Sequence, residues 1–161
     1  MTTLKISEAD LRDLSNLDSE TTVKEFVEIP RGDYEVKVVD MKCKEVEPDE
    51  NHPYTRNRLV INFEILTGDY AGNSVYYTQN FDAVWMLKAA GRFIKTLKTN
   101  VDMDASKYVT DGEFDRVKYH EMLQEIYDDI TSRGLEYQLS ITANPKNEKY
   151  NVYSIVQVFD E

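Results

Sequence analysis

Cysteine and histidine are close to absent from this chain of 161 residues: Cys43 is the only thiol, and His52 and His120 are the only imidazoles. A single thiol closes no internal disulfide, and without a Cys-x-x-Cys pair or a Cys/His cluster no zinc site is expected. Neither histidine stands at a spacing that suggests a metal or a catalytic base, so both read as solvated side chains. Catalytic signatures are missing too. There is no Gly-x-Ser-x-Gly, no glycine-rich phosphate loop with its lysine and no His-Glu-x-x-His. Asp102, Asp104, Asp128 and Asp129 come nearest to a hard-cation cluster, but Asp-x-Asp at 102–104 lacks the later glycine and bidentate glutamate of a calcium loop. The expectation is a protein that is not an enzyme and holds neither metal nor cofactor.

Long apolar runs are also missing. No stretch approaches the length that crosses a bilayer, and Met1 to Asp10 carries no run of signal-peptide length. A cytoplasmic protein with no membrane contact is expected. Positive charge is in deficit, with 19 Lys and Arg against 30 Asp and Glu and a net charge of −11. Generic polyanion binders gain affinity from an excess of cations, so the total speaks against that class. The distribution says more. Residues 1–30 carry seven acids against three bases and residues 100–136 carry ten against four, whereas residues 31–99 balance ten against ten. The acidity therefore sits in an N-terminal arm, residues 1–28, and in a helical segment, which leaves the first three strands free to present a local basic surface.

What is present is a strong period-two pattern. Leu59, Ile61, Phe63 and Ile65 fall on one side of an extended backbone, while Arg58, Val60, Asn62 and Glu64 fall on the other. Thr67 to Gly72 supplies turn residues, and Ser74 to Asn80 resumes a β-rich run, so the two form a hairpin. Before it, Tyr34 to Val46 reads as a first strand. Val36 and Val38 share one parity and Met41 and Cys43 the other, so a bulge near Val39–Asp40 is needed to bring all four to one core. Arg31-Gly32-Asp33 reads as the start of that strand rather than an integrin ligand, and Glu47 to Asn57 as a polar loop.

After the third strand, Asp82 can cap a helix with apolar positions Val84, Leu87, Ala90, Phe93, Ile94 and Leu97. Lys88, Arg92, Lys95 and Lys98 lie among them, either as a solvated face near the helix C-terminus or as a basic strip flanking a nucleic-acid groove. An irregular acidic connection, 100–114, leads to a second helix over Val117–Ile130, closed by Arg133-Gly134. Leu135, Tyr137, Leu139 and Ile141 alternate as a fourth strand, and Tyr150 to Phe159 forms a fifth. One domain over 29–161 follows, mainly β with a helical insert at about 82–133. Its order of three strands, two helices and two strands is that of a five-stranded OB-like barrel; an α+β sandwich or an open sheet carrying two helices are the alternatives.

Pro30-Arg-Gly-Asp-Tyr-Glu-Val-Lys-Val38, Leu59-Val-Ile-Asn-Phe-Glu-Ile-Leu-Thr-Gly-Asp-Tyr-Ala-Gly72 with Val75, and Lys149-Tyr-Asn-Val-Tyr153 carry a resemblance. The chain resembles small bacteriophage early proteins, several of them regarded as single-stranded-DNA-binding replication or recombination factors with an OB fold. The resemblance implies a non-catalytic protein that binds single-stranded DNA, working beside phage or host replication and recombination proteins. A homo-oligomer is expected, since linked copies gain avidity along a strand. In an OB fold the binding face would be built from outward residues of the first three strands: Lys37, Lys42, Lys44 and Arg58 for phosphates, Tyr54 and Tyr76 for stacking, with Arg56 and Tyr70 beside them. The alternative is an acidic interaction or inhibitor protein that presents carboxylates where a host or phage protein expects phosphates.

Overall fold

The alternation around Phe63 is realised as a meander of three antiparallel strands: β1 (Gly32–Val46), β2 (Arg56–Ile65) and β3 (Ser74–Phe81). The computed structural model describes residues 28–51, 53–81, 83–103, 105–110 and 112–159. The arm up to residue 27, His52, Asp82 and Asp104, each assigned a role from sequence, lie outside the described residues. The expected bulge is present: the β1–β2 register shifts between Val38 and Asp40. It puts Val36, Val38, Met41 and Cys43 together in the core in spite of their opposite parities. The β2–β3 turn closes with the Gly72 amide donating to the Ile65 carbonyl at 2.7 Å, and Gly72 sits at φ 89°, where a side chain would be strained.

Helix α1 (Val84–Lys95) follows, with Ala83 at its N-cap position and no side-chain cap. It buries Leu87, Ala90, Phe93 and Ile94 of the stripe expected from its spacing, with Leu97 just beyond it, but Val84, in the first turn, is exposed. The connection beyond it is more ordered than its composition suggests: a 3-10 turn (Ala105–Tyr108) leads into a two-stranded ladder, β4 (Val109–Thr110) with β5 (Glu113–Phe114). Helix α2 (Arg116–Ser132) is capped by the Asp115 carboxylate, which accepts from the Lys118 amide at 3.0 Å. Gly134 at φ 68° ends it, and β6 (Glu136–Asn144) and β7 (Asn147–Phe159) complete the chain. Arg31, at the start of β1, donates from Nε to Asn151 Oδ1 at 2.8 Å, which ties that end of β1 to β7.

The five long strands form one antiparallel sheet in the order β3-β2-β1-β6-β7. The fold is mainly β with two helices, as expected, but the sheet is open rather than closed into a barrel. β3 and β7 are its two edges. Between them lies a groove lined by Tyr77, Thr78 and Gln79 of β3, by Asn151 to Ile155 of β7, and by Ala89, Arg92, Phe93 and Thr96 of α1. Phe93 stacks on Tyr77 with ring centroids 3.8 Å apart, so helix side chains occupy part of the space that a β3–β7 ladder would need.

β1 serves two neighbours on its other edge. Gly32 to Val36 pairs with Ile141 to Tyr137 of β6, and beyond that point α2 packs against the strand. There Gln124 Nε2 donates to the Met41 carbonyl at 2.7 Å, and the Cys43 amide donates to His120 Nδ1 at 3.3 Å. Side chains of a helix thus satisfy backbone groups that a paired strand would otherwise take. This gives His120 a structural partner, where the sequence suggested a solvated side chain. Burial pushes the Cys43 thiol up to about 11, the opposite of an activated thiolate.

The end of α1 is fastened to α2 and β6. The Tyr137 hydroxyl, buried, donates to the Leu97 carbonyl at 2.8 Å. Asp129 accepts from the Asn100 amide at 2.7 Å and from Thr99 Oγ1 at 2.9 Å, and pairs with Arg133 at 2.9 Å. Lys98, at φ 62°, is the non-glycine residue in the left-handed region at this turn, and its carbonyl accepts from Arg133 Nη2 at 2.6 Å. Asp129 is therefore a clasp rather than a free acid of a solvated connection.

Candidate nucleic-acid interface

Pleating decides what the three-strand meander shows to solvent. With Leu59, Ile61, Phe63 and Ile65 turned to the helices, the even-numbered residues of β2 point to the other face, where Arg58, Asn62 and Glu64 are half-buried and Val60 is buried among its neighbours. Register then assembles rows across the strands. Lys44 lies beside Arg58 and Arg58 beside Asn80; Lys42 lies beside Val60 and Val60 beside Thr78. Asp40, Asn62 and Tyr76 form a third row, and Lys37, Glu64 and Ser74 a fourth. Lys37, Lys42, Lys44, Arg58 and Tyr76, all expected on one face, are on one face.

The cations of this face are steered by neighbours. Lys37 lies 3.9 Å from Glu64 and Lys42 lies 4.0 Å from Asp40, while Arg58 Nε donates to Asn80 Oδ1 at 2.7 Å. These half-exposed pairs are weak, about 0–1 kcal/mol each, so an arriving phosphate can replace the carboxylate. Tyr76 is 54% exposed, and Asn62 beside it carries a buried Oδ1 with no partner. The exposed flat ring suits stacking by a base.

The remaining expected residues divide. Tyr54, in the loop before β2, is 51% exposed. Tyr70 at the hairpin packs half-buried against the core and meets Tyr34 edge to face at 6.2 Å, so its ring is partly used in structure. Arg56 differs from the expectation of a free cation. It is only 6% exposed and lies 3.6 Å from Asp49, although its parity matches that of Arg58. The 47–55 loop brings Asp49 to it, and alternation along β2 carries no information about that loop.

Sequence reasoning placed a basic strip on α1 but not the hollow beside it. Lys88, Arg92 and Lys95 rim a cavity of about 780 Å³ whose lining includes Leu87, Met103, Tyr108, Tyr119 and Met122. A shallower hollow of about 520 Å³ continues past Lys95, Asp102 and Met103 to Lys98 and Arg133. Burial raises Tyr77 to about 12, with nearby Arg92 acting in the opposite direction. The 3-10 turn that walls the cavity had no strong local signal, which is why the concavity was not foreseen.

No group of His, Cys, Asp and Glu among the described residues is arranged to hold a metal ion. No helix of the described residues is long and apolar enough to cross a membrane. A family model described as a protein of unknown function (DUF669) matches residues 15–92, a stretch that takes in β1, β2, β3 and α1 as far as Arg92. Neither the curated proteins nor the solved structures contain a match to this chain.

Proposed function

We propose that this protein binds single-stranded DNA without catalysis, across the outward face of β1, β2 and β3. The observation that carries the reading is the register that puts Lys37, Lys42, Lys44 and Arg58 on the same face as exposed Tyr76, in rows on either side of the Asp40–Asn62–Tyr76 row. Cations in a row for phosphates and an aromatic platform for bases are the two elements of sequence-tolerant single-strand binding. The bulged β1 and the order β3-β2-β1-β6-β7 support placing the sheet with OB-type barrels, left open along the β3–β7 groove. The resemblance carried by Pro30–Val38 and Leu59–Gly72 supports a role in phage replication or recombination, in the host cytoplasm, as linked copies beside replication proteins.

The test is a salt titration of poly-dT binding by the full chain. Four phosphate contacts on a single strand predict that log affinity falls against log salt with a slope of about −3. A chain that ignores poly-dT at every salt concentration would overturn the reading and favour an acidic protein that acts on another protein.

A further inference from the structure

From Ala83 to Val101 the sequence holds Lys88, Arg92, Lys95 and Lys98 and not one acid, in a chain of net charge −11. All four cations are exposed. Among the described residues none of them is in an ion pair, unlike Lys37 and Lys42 on the strand face. Three of them rim the larger cavity, and Lys95 and Lys98 line the hollow that continues it. Among the described residues the opposite wall carries one acid, Asp102, which lies 3.4 Å from Lys107.

The interior of the cavity has a different chemistry from its rim. Leu87, Met103 and Met122 are aliphatic or thioether side chains, which adapt to an inserted apolar group. Tyr108 and Tyr119 also line it but are buried and meet edge to face at 5.4 Å, so they offer no open ring for a base to stack on. Tyr119 is 2% exposed, and its buried hydroxyl has no hydrogen-bond partner. An apolar hollow of this size with a few convergent polar groups has the build of a ligand site.

We propose that this groove docks an acidic peptide segment of a partner protein, with one apolar side chain seated in the cavity and carboxylates on the α1 cations. Charge sets the choice of occupant. On the strand face an acidic segment would meet Glu64 and Asp40 beside the lysines, whereas along α1 it meets four cations that are in no ion pair among the described residues, so the local field orients it there. Trp85, 63% exposed on the first turn of α1, could stack on a base or on an apolar side chain, but the aliphatic and thioether interior takes an inserted apolar group and gives a nucleic-acid strand nothing to seat there.

The test is a fluorescence titration of the full chain, using Trp85, its only tryptophan, on the first turn of α1 beside Val84 of the cavity lining. The probe is the acetylated, amidated hexapeptide Glu-Asp-Leu-Phe-Glu-Asp. It is expected to shift Trp85 emission saturably, and the Lys88→Glu/Arg92→Glu/Lys95→Glu variant is expected to bind it at least tenfold more weakly with an unchanged melting temperature. The same peptide with serine in place of leucine and phenylalanine is also expected to lose at least tenfold. No saturable binding at 1 mM probe (about the weakest useful affinity), equal binding by the triple variant, or equal binding of the serine peptide would each overturn the proposal. So would loss of poly-dT binding in the triple variant, because the groove would then belong to nucleic acid.

Discussion

The outer face of β1–β3 and the flank of α1 carry the same number of cations and use them differently. Lys37, Lys42 and Arg58 stand on a pleated surface beside Glu64, Asp40 and Asn80, whereas Lys88, Arg92 and Lys95 rim an apolar hollow and are in no ion pair among the described residues. A flat face with loosely held cations suits a long, flexible polyanion that displaces weak pairs one at a time. A hollow with undressed cations suits a short acidic ligand with an apolar anchor. Net charge describes neither surface. What separates them is whether a residue's neighbours lie across a strand or across a helix–turn junction.

The comparison also holds between the two sides of the sheet, and the largest effect expected is on the inner side. Phe63 is fully buried and meets Phe93 edge to face at 6.3 Å. Phe63→Ala should destabilise the protein by about 3–5 kcal/mol, read as a drop in the urea midpoint. An effect below about 1 kcal/mol would mean that α1 is not held by the sheet in the way described.

A pH experiment sharpens the role of the clasp behind the α1 cations. Hydrogen bonds from Arg133 first, then from the Asn100 amide and Thr99, hold the Asp129 carboxyl down at about 2, against an ordinary value of 3.8. The folded state thus binds this proton more weakly than the unfolded state does. The contribution of Asp129 is complete above about pH 4 and is lost as pH falls toward 2. Urea midpoints of the wild type and Asp129→Asn should therefore differ most near pH 6 and converge near pH 2. A constant difference across that window would contradict the clasp.

The smallest expected effect on stability lies on the strand face. Lys44→Ser should change stability by no more than about 0.5 kcal/mol, since an exposed strand lysine holds nothing together. It should nevertheless reduce the magnitude of the poly-dT salt slope by about 0.7, one phosphate's worth. A slope equal to that of the wild type would remove Lys44 from the face.

Much of this was legible in the sequence because period-two alternation is a local signal. Residues 59–65 and the clash of parities between Val38 and Met41 were enough to place the core face, the bulge and the cations of the outer face. Barrel closure was not legible. Whether β3 meets β7 depends on what α1 places between them, and Phe93 stacked on Tyr77 is a tertiary fact. Arg56 has the parity of Arg58 yet is buried, because Asp49 arrives from a loop whose path its own residues do not dictate. His120 became a backbone acceptor for the same kind of reason: only the packing of α2 on β1 brings its ring to the Cys43 amide.

Single-stranded DNA binding by the strand face, as proposed, runs through Tyr76. The most direct measurement is the poly-dT dissociation constant of Tyr76→Ala beside that of the wild type, at one salt concentration and with melting temperatures recorded. Binding is expected to weaken by about 1–3 kcal/mol, roughly 5- to 150-fold, with the melting temperature nearly unchanged. Wild-type affinity in Tyr76→Ala, or a loss that appears only with unfolding, would contradict the proposal.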